Sequence, residues 1–211
     1  MPDRPRVLLD ANVLWSSQLR NLILQMAIDE VLSARWSREI ESEWLRNTDD
    51  ELRCRLESRT LPVLRKNFPD AWVEGFDVPE SLGQTDAKDV HVAAAAATMA
   101  PCDLLTLNVR DFDKEHLDKM GVRVMTPDAL LSNLVDTGRD LIIDVTKRAH
   151  GNLTKSAPTW DAYLEILRAK CGLVGFVERI SRYSRSEEAG EGNITAIEAL
   201  SRQSGSDEPS P

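Results

Sequence analysis

The stretch Arg6 to Val13, R-V-L-L-D-A-N-V, constrains this chain most, because an apolar run short enough for one strand stops on a carboxylate. Val7, Leu8 and Leu9 read as a fully buried strand, which places Asp10 just past its carboxyl end. In open α/β sheets that edge is where ligands bind. Taken alone, the stretch has a simpler account in which Asp10 caps the next helix and Asn12 makes a turn.

The rest of the chain supplies the partners such a strand needs. Leu19, Leu22, Ile23, Met26, Ala27 and Val31 recur at helical spacing, so Ser17 to Ser33 reads as an amphipathic helix and Arg35 to Ser37 as a short link. Ser37 is an expected N-cap for a helix from Arg38 to about Asn47, with Ile40 and Trp44 on its buried stripe. Glu43 neighbours that stripe, whereas Glu39 and Glu41 are expected to face solvent. Asp50 to Asn67 reads as one or two short helices broken near Pro62, and Trp72, Val73 and Phe76 as closing an edge of the core. Thr85 or Asp86 is expected to cap a helix built on the Ala93 to Ala97 run, with Asp86 and Asp89 on one face at its start. His91 should then point away from them, as a packing or surface residue.

Asp103 to Leu107 is a second buried strand, and Asn108 occupies the position after it that Asp10 holds after the first, with Asp111 three residues on. A short helix from Lys114 to Met120 is ended by Gly121, and Val122 to Met125 reads as a further strand. Thr126-Pro127 then opens a helix through Leu134. The alternation gives a parallel sheet over residues 1–135. From about Asp136 the pattern is helical only, with Leu141 to Ala149, Pro158 to Lys170 and Leu173 to Tyr183 as a small extension over 136–184. Residues 185–211, rich in Ser, Glu, Gly and Pro, read as a disordered acidic tail with one helical turn at Ile194 to Leu200.

Composition bounds the compartment and the partners. No window holds the roughly 18 uncharged apolar residues of a membrane span, and M-P-D-R-P-R lacks a signal peptide's apolar core, so the expected location is cytoplasmic, away from membranes. Cys54, Cys102 and Cys171 are isolated from one another and read as packing thiols. The net charge of −9 opposes a polyanionic partner until its distribution is considered. From Ser186 onward six acids face Arg202 alone, and five more acids belong to the set described next. Bound divalent cations would leave the remaining body near neutral and tolerant of RNA or DNA.

Asp10, Glu43, Asp86, Asp89, Asn108 and Asp111 are oxygen donors at strand ends and helix starts, which a parallel sheet gathers at one edge. Clustered carboxylates repel, and burying them unpaired is costly, so the set implies a bound cation. Oxygen donors without His or Cys suit Mg²⁺ or Mn²⁺. The matching chemistry is hydrolysis of a phosphodiester by water whose pKa the metal lowers.

In this light L-L-D-A-N-V-L, an acid in the second helical region, T-D-A-K-D-V-H-V-A-A-A-A and L-L-T-L-N-V-R-D-F together resemble a PIN domain, and more narrowly a VapC-like toxin of bacterial type II toxin–antitoxin pairs, over roughly Arg6 to Val135. The resemblance implies a three-layer α/β/α fold and a metal-dependent endoribonuclease. It assigns Asp10, Glu43 and Asp89 as the first three acids and Asn108 with Asp111 as the fourth region, and leaves Asp86 accessory. It also implies a small antitoxin that inserts a segment at the site, and a homodimer. Asn108 stands where many relatives carry an acid, which weakens the negative field and leaves open one metal or two. Two other readings compete. One is a PIN-like RNA-binding or interaction module without cleavage; the other is a haloacid-dehalogenase-type phosphatase with Asp10 as nucleophile, whose second acid would fall on Asn12, a residue unable to protonate a leaving group.

Overall fold

A computed structural model describes residues 4–153, 157 and 159–183. The expected tail and its helical turn at Ile194 to Leu200 lie outside the described residues, as does Pro158. The chain forms an α/β fold around a five-stranded sheet in which every pairing is parallel. The strands are β1 (Arg6–Leu9), β2 (Ser33–Ser37), β3 (Trp72–Val73), β4 (Cys102–Leu105) and β5 (Val122–Met125), in spatial order β3-β2-β1-β4-β5. The order reverses direction between β1 and β4, since the chain first builds outward through β2 and β3 and then returns to the other side of β1. That reversal opens a crevice beyond the carboxyl ends of β1 and β4.

Burial explains why the sheet centres where it does. Val7, Leu8 and Leu9 are fully buried, and all four residues of β4 are buried, as both-face coverage by helices requires. The helices are α1 (Ala11–Trp15), α2 (Ser17–Ile28), α3 (Arg38–Arg46), α4 (Asp50–Arg55), α5 (Leu61–Asn67), α6 (Val90–Met99), α7 (Lys114–Lys119), α8 (Pro127–Gly151) and α9 (Trp160–Cys171), with a further helix over 174–183. The layering is compatible with three-layer α/β/α. Five consecutive small residues in α6 let it lie close to β1, β2 and β4, with Ala93 to Ala96 fully buried.

Several elements depart from the sequence reading. The second helix stops at Ile28, and the supposed link after it is β2, whose Ala34 and Trp36 point into the core while Arg35 between them does not. Period-two alternation over three residues, with an arginine in the middle, is too short to outweigh the helical pattern before it. Asp50 to Asn67 is continuous rather than broken at Pro62, because a π-helical turn over Leu56–Thr60 joins α4 to α5 and its altered hydrogen-bond spacing lets the chain pass through Pro62. The helix opened by Thr126, whose Oγ1 accepts from the Ala129 N–H, continues a few residues past Leu134 to a non-helical Gly138, beyond which a second helical stretch reaches Gly151, so α8 is two expected helices joined across a kink. It packs with α9 on α2, burying Ile142, Ile143, Val145, Tyr163 and Leu167. Cys102 and Cys171 are buried as expected, but Cys54 is exposed. Among the described residues no helix is long and apolar enough to cross a membrane.

Candidate active site

Asp10 satisfies both readings of its position. Its Oδ1 accepts from the Ala11 N–H at 2.6 Å and so caps α1, while its Oδ2 accepts from the Asn12 amide at 2.6 Å and the Thr106 hydroxyl at 2.7 Å. Thr106, fully buried just past β4, ties the two central strand ends together, since its Oγ1 also accepts from the Asn108 N–H at 2.9 Å and the Asn12 amide at 3.1 Å. Asn12 completes the tie by accepting from the Leu107 N–H at 3.0 Å. The switch crevice between β1 and β4 is thus closed at its base by a polar network that aims one carboxylate outward. The sequence reading assigned Thr106 nothing, although a threonine near the end of a buried strand was a visible signal.

A pocket of about 430 Å³ sits on that base, and Asp10, Glu43, Asp89 and Asn108 line it, with Trp15 and Lys88 at its sides. Four of the six residues singled out by sequence are therefore brought together. Glu43 comes from α3, held in place by the Ser37 cap whose Oγ accepts from the Ile40 N–H at 3.2 Å. Asp89 immediately precedes α6 without capping it, so its carboxylate is free to face the pocket. Burial pushes the Asp89 carboxyl up to about 6, and the nearby Asp10 charge adds to the shift. Asp10 is also raised, by burial first, although the Thr106 hydroxyl and the Ala11 N–H pull the other way.

Asp86 and Asp111 lie beside the pocket, around Lys88. The Lys88 ammonium is 2.9 Å from Asp111 Oδ2 and 3.9 Å from both Asp86 Oδ2 and Asp89 Oδ2, which holds the Lys88 pKa above its ordinary value, chiefly through the Asp111 hydrogen bond. Asp86 is no helix cap. Its Oδ1 accepts from the Lys88 N–H at 3.1 Å and its own N–H donates to the Asp111 carbonyl at 2.8 Å, so α6 starts later than expected and the two aspartates do not share a helical face. Thr85 likewise caps nothing and accepts from the Asp113 N–H at 3.2 Å. With the helix start displaced, His91 does not point away: its Nε2 lies 3.2 Å from Glu43 Oε2. Glu41, expected in solvent, is buried and accepts from Arg65 and from the Trp72 indole, each at 3.1 Å.

The loop carrying Asp86 depends on Gly83. Its φ of +65° is left-handed, and a Cβ there would stand 2.8 Å from Asp113 Cγ and 2.9 Å from His116 Cβ. Asp113 is the cap of α7, accepting from the His116 N–H at 3.1 Å and from the Gln84 N–H at 2.9 Å. Gly83→Ala should therefore lower stability by about 2 kcal/mol or more, read as a denaturant midpoint shift. Gly75→Ala, with φ of +68° but nothing within 4 Å of the new Cβ, should cost only about 1 kcal/mol. Equal costs at the two positions would show that Asp113 gives way freely.

Whether these donors suit a cation is answered by two unpartnered atoms. Glu43 Oε2 and Asp89 Oδ2 are buried and make no hydrogen bond, the His91 contact being misaligned for one. Two buried carboxylate oxygens without a hydrogen bond, beside a third carboxylate, fit a divalent cation chemically. Among the described residues, however, no group of three or more His, Cys, Asp or Glu side chains is already arranged to hold one. Ligation would require the side chains to draw together. No family model, curated protein or solved structure matches this chain.

Proposed function

We propose that this chain is a Mg²⁺- or Mn²⁺-dependent endoribonuclease of the PIN-domain, VapC-like kind, acting as the toxin of a bacterial type II toxin–antitoxin pair. The observation that carries the reading is the meeting of Asp10, Glu43 and Asp89 in one pocket at the sheet's switch crevice, two of them with a buried oxygen that makes no hydrogen bond. Asp10, Glu43 and Asp89 hold the cation, with the Asn108 amide oxygen as a neutral fourth donor. The chemistry that a divalent cation supplies when bound is polarisation of the phosphodiester and a lower pKa for the attacking water. Thr106 and Asn12 fix the direction of the Asp10 carboxylate. Lys88 offsets the charge of Asp86 and Asp111 at the rim, so that a phosphate does not meet five bare carboxylates. Trp15 lines the pocket yet is 58% exposed, and offers an indole face on which an unpaired RNA base stacks. A small antitoxin blocking this pocket and a homodimer complete the proposal.

Cleavage of total RNA by antitoxin-free protein tests it. Products are expected with Mg²⁺ or Mn²⁺ and not with EDTA, and Asp10→Asn, prepared identically, should lose at least about 10³-fold in rate. Products that persist in Asp10→Asn would overturn the assignment. The second reading, an RNA-binding module without cleavage, is favoured by the lack of a ready-made metal group among the described residues. It requires that Mn²⁺ show no saturable binding.

A further inference from the structure

At the opposite end of the sheet from the acidic pocket lies a cavity of about 410 Å³ lined by Arg4, Arg6 and Arg35, with Ser33, Asn67 and Phe68 among its other walls. Arg6 opens β1 and Asp10 follows its end, so the two sites are separated by roughly 13 Å of strand. Arg6 pairs in register with Ser33, and Leu8 with Arg35, which puts both arginines on the same face of neighbouring strands. Arg35 stands diagonal to Arg6, two positions beyond its register partner Ser33, so the two positive charges are cross-strand neighbours. Among the described residues, neither the Arg6 nor the Arg35 side chain has a hydrogen-bond or ion-pair partner. Arg4 has one, Glu30 at 3.4 Å. Asp70 is the single acid among the described lining residues.

Arg35 is the more telling of the pair. It interrupts a strand whose neighbours Ala34 and Trp36 are buried, and it is itself half-buried. A residue kept there for solubility would be better as a short polar side chain that brings no second positive charge beside Arg6. Guanidinium groups present planar, forked donors suited to phosphate oxygens. Phe68, packed edge-on against Trp36 with centroids 6.4 Å apart, contributes an aromatic wall to the same cavity. The volume is that of a site for one small ligand.

We propose that this cavity is a phosphate-ester site, in which Arg6 and Arg35 grip a terminal phosphate while Phe68 contacts the attached nucleoside. A free nucleotide and the 5′ end of an RNA both carry such a phosphate, and the arms of the test separate these sources. The proposal stands apart from the metal-dependent activity, and EDTA throughout keeps the two distinguishable.

The full chain is titrated calorimetrically in EDTA with ADP, with adenosine, and with a tetraribonucleotide carrying either a 5′-phosphate or a 5′-hydroxyl. ADP or the 5′-phosphorylated oligonucleotide should bind saturably, adenosine and the 5′-hydroxyl form at least about tenfold more weakly. The tighter of the two phosphorylated probes names the source. Arg35→Gln and Arg6→Gln should each weaken that binding about tenfold, while Arg59→Gln, a charge-matched change on an exposed helical position, should leave it unchanged. Arg35→Gln should also melt no lower than wild type, because it removes a like-charge neighbour, and so its binding loss is not an unfolding artefact. Binding that ignores the 5′-phosphate, or that falls equally in Arg59→Gln, would overturn the site, as would no binding by any probe.

Discussion

Asp89→Asn is expected to melt at a higher temperature than wild type at pH 7.5 in EDTA, and to lose both the gain in melting temperature that Mn²⁺ gives the wild type and its cleavage of RNA. The opposite signs follow from one cause. The Asp89 carboxyl titrates near 6 in the fold because burial and the Asp10 charge disfavour its ionised form, against an ordinary value of 3.8. Between those values the folded chain binds more protons than the unfolded one, so stability falls as pH rises through the window, and the penalty is complete above about 6. An amide of the same shape carries no such penalty, and the gain should be on the order of 1 kcal/mol, or about 2–4 °C for a chain of this size. The wild type in EDTA should accordingly lose stability from pH 5 to pH 7, with that component absent in the variant. The Mn²⁺-dependent gain should behave inversely, growing about tenfold in affinity per pH unit below 6 and levelling off above, because the cation needs the ionised carboxylate. Calorimetric melting at four pH values, with and without Mn²⁺, reads all of this. A variant less stable than wild type in EDTA would mean that the Lys88 contact outweighs the burial penalty on Asp89. A Mn²⁺ gain retained in the variant would remove Asp89 from the metal site.

Thr106→Val should weaken Mn²⁺ binding about tenfold and cost about 2 kcal/mol of stability, while Thr106→Ser recovers most of both. Valine has nearly the shape of threonine, so the buried space at this position stays filled. What it removes is the hydroxyl that donates to Asp10 Oδ2 at 2.7 Å and accepts from the Asn108 N–H at 2.9 Å. A hydrogen bond to a buried carboxylate is worth about 1.5–3 kcal/mol, and the stranded Asn108 N–H adds to the loss. The Thr106 hydroxyl also lowers the Asp10 carboxyl, whose burial otherwise raises it. Without it Asp10 ionises at higher pH, so the pH at which Mn²⁺ binding is half-maximal should move upward in the valine variant and return with serine. Such a shift separates an effect on the carboxylate from general destabilisation, which would lower the melting temperature without moving the pH profile. Unchanged Mn²⁺ binding in Thr106→Val would show that the Asn12 amide and the Ala11 N–H suffice to position Asp10.

The strands that carry the candidate site were legible because their signal is strong and local. Val7 to Leu9 is an apolar run stopped by a carboxylate, and its end was readable from that abrupt change, whereas Asp103 to Leu107 overran: β4 ends at Leu105, so Thr106 and not Asn108 holds the position after it that Asp10 holds after β1. Ser37 as a cap was equally local, since the bond from Ile40 spans three residues. β2 was not legible, because its three buried positions, Ala34, Trp36 and Ser37, surround an arginine and follow no strict alternation, and only the neighbouring strands make the segment extended. Glu41 and Glu43 illustrate the same limit on a helix. Two residues apart and chemically alike, they differ because Arg65 and Trp72 from later in the chain reach one and His91 reaches the other.

The sequence by itself determined a parallel α/β architecture with oxygen donors after its central strands, since periodicity, capping and strand ends are properties of near neighbours. Tertiary structure alone decided which donors meet. Asp10, Glu43, Asp89 and Asn108 share a pocket because β1 and β4 lie side by side, with α3 and the start of α6 folding back over their ends. Asp86 and Asp111 are drawn to Lys88 instead because α6 begins late, a displacement fixed by the loop around Gly83 and Asp113. The donation of Thr106 to Asp10 spans 96 positions, and no local pattern encodes a bond between residues that only the sheet order makes adjacent.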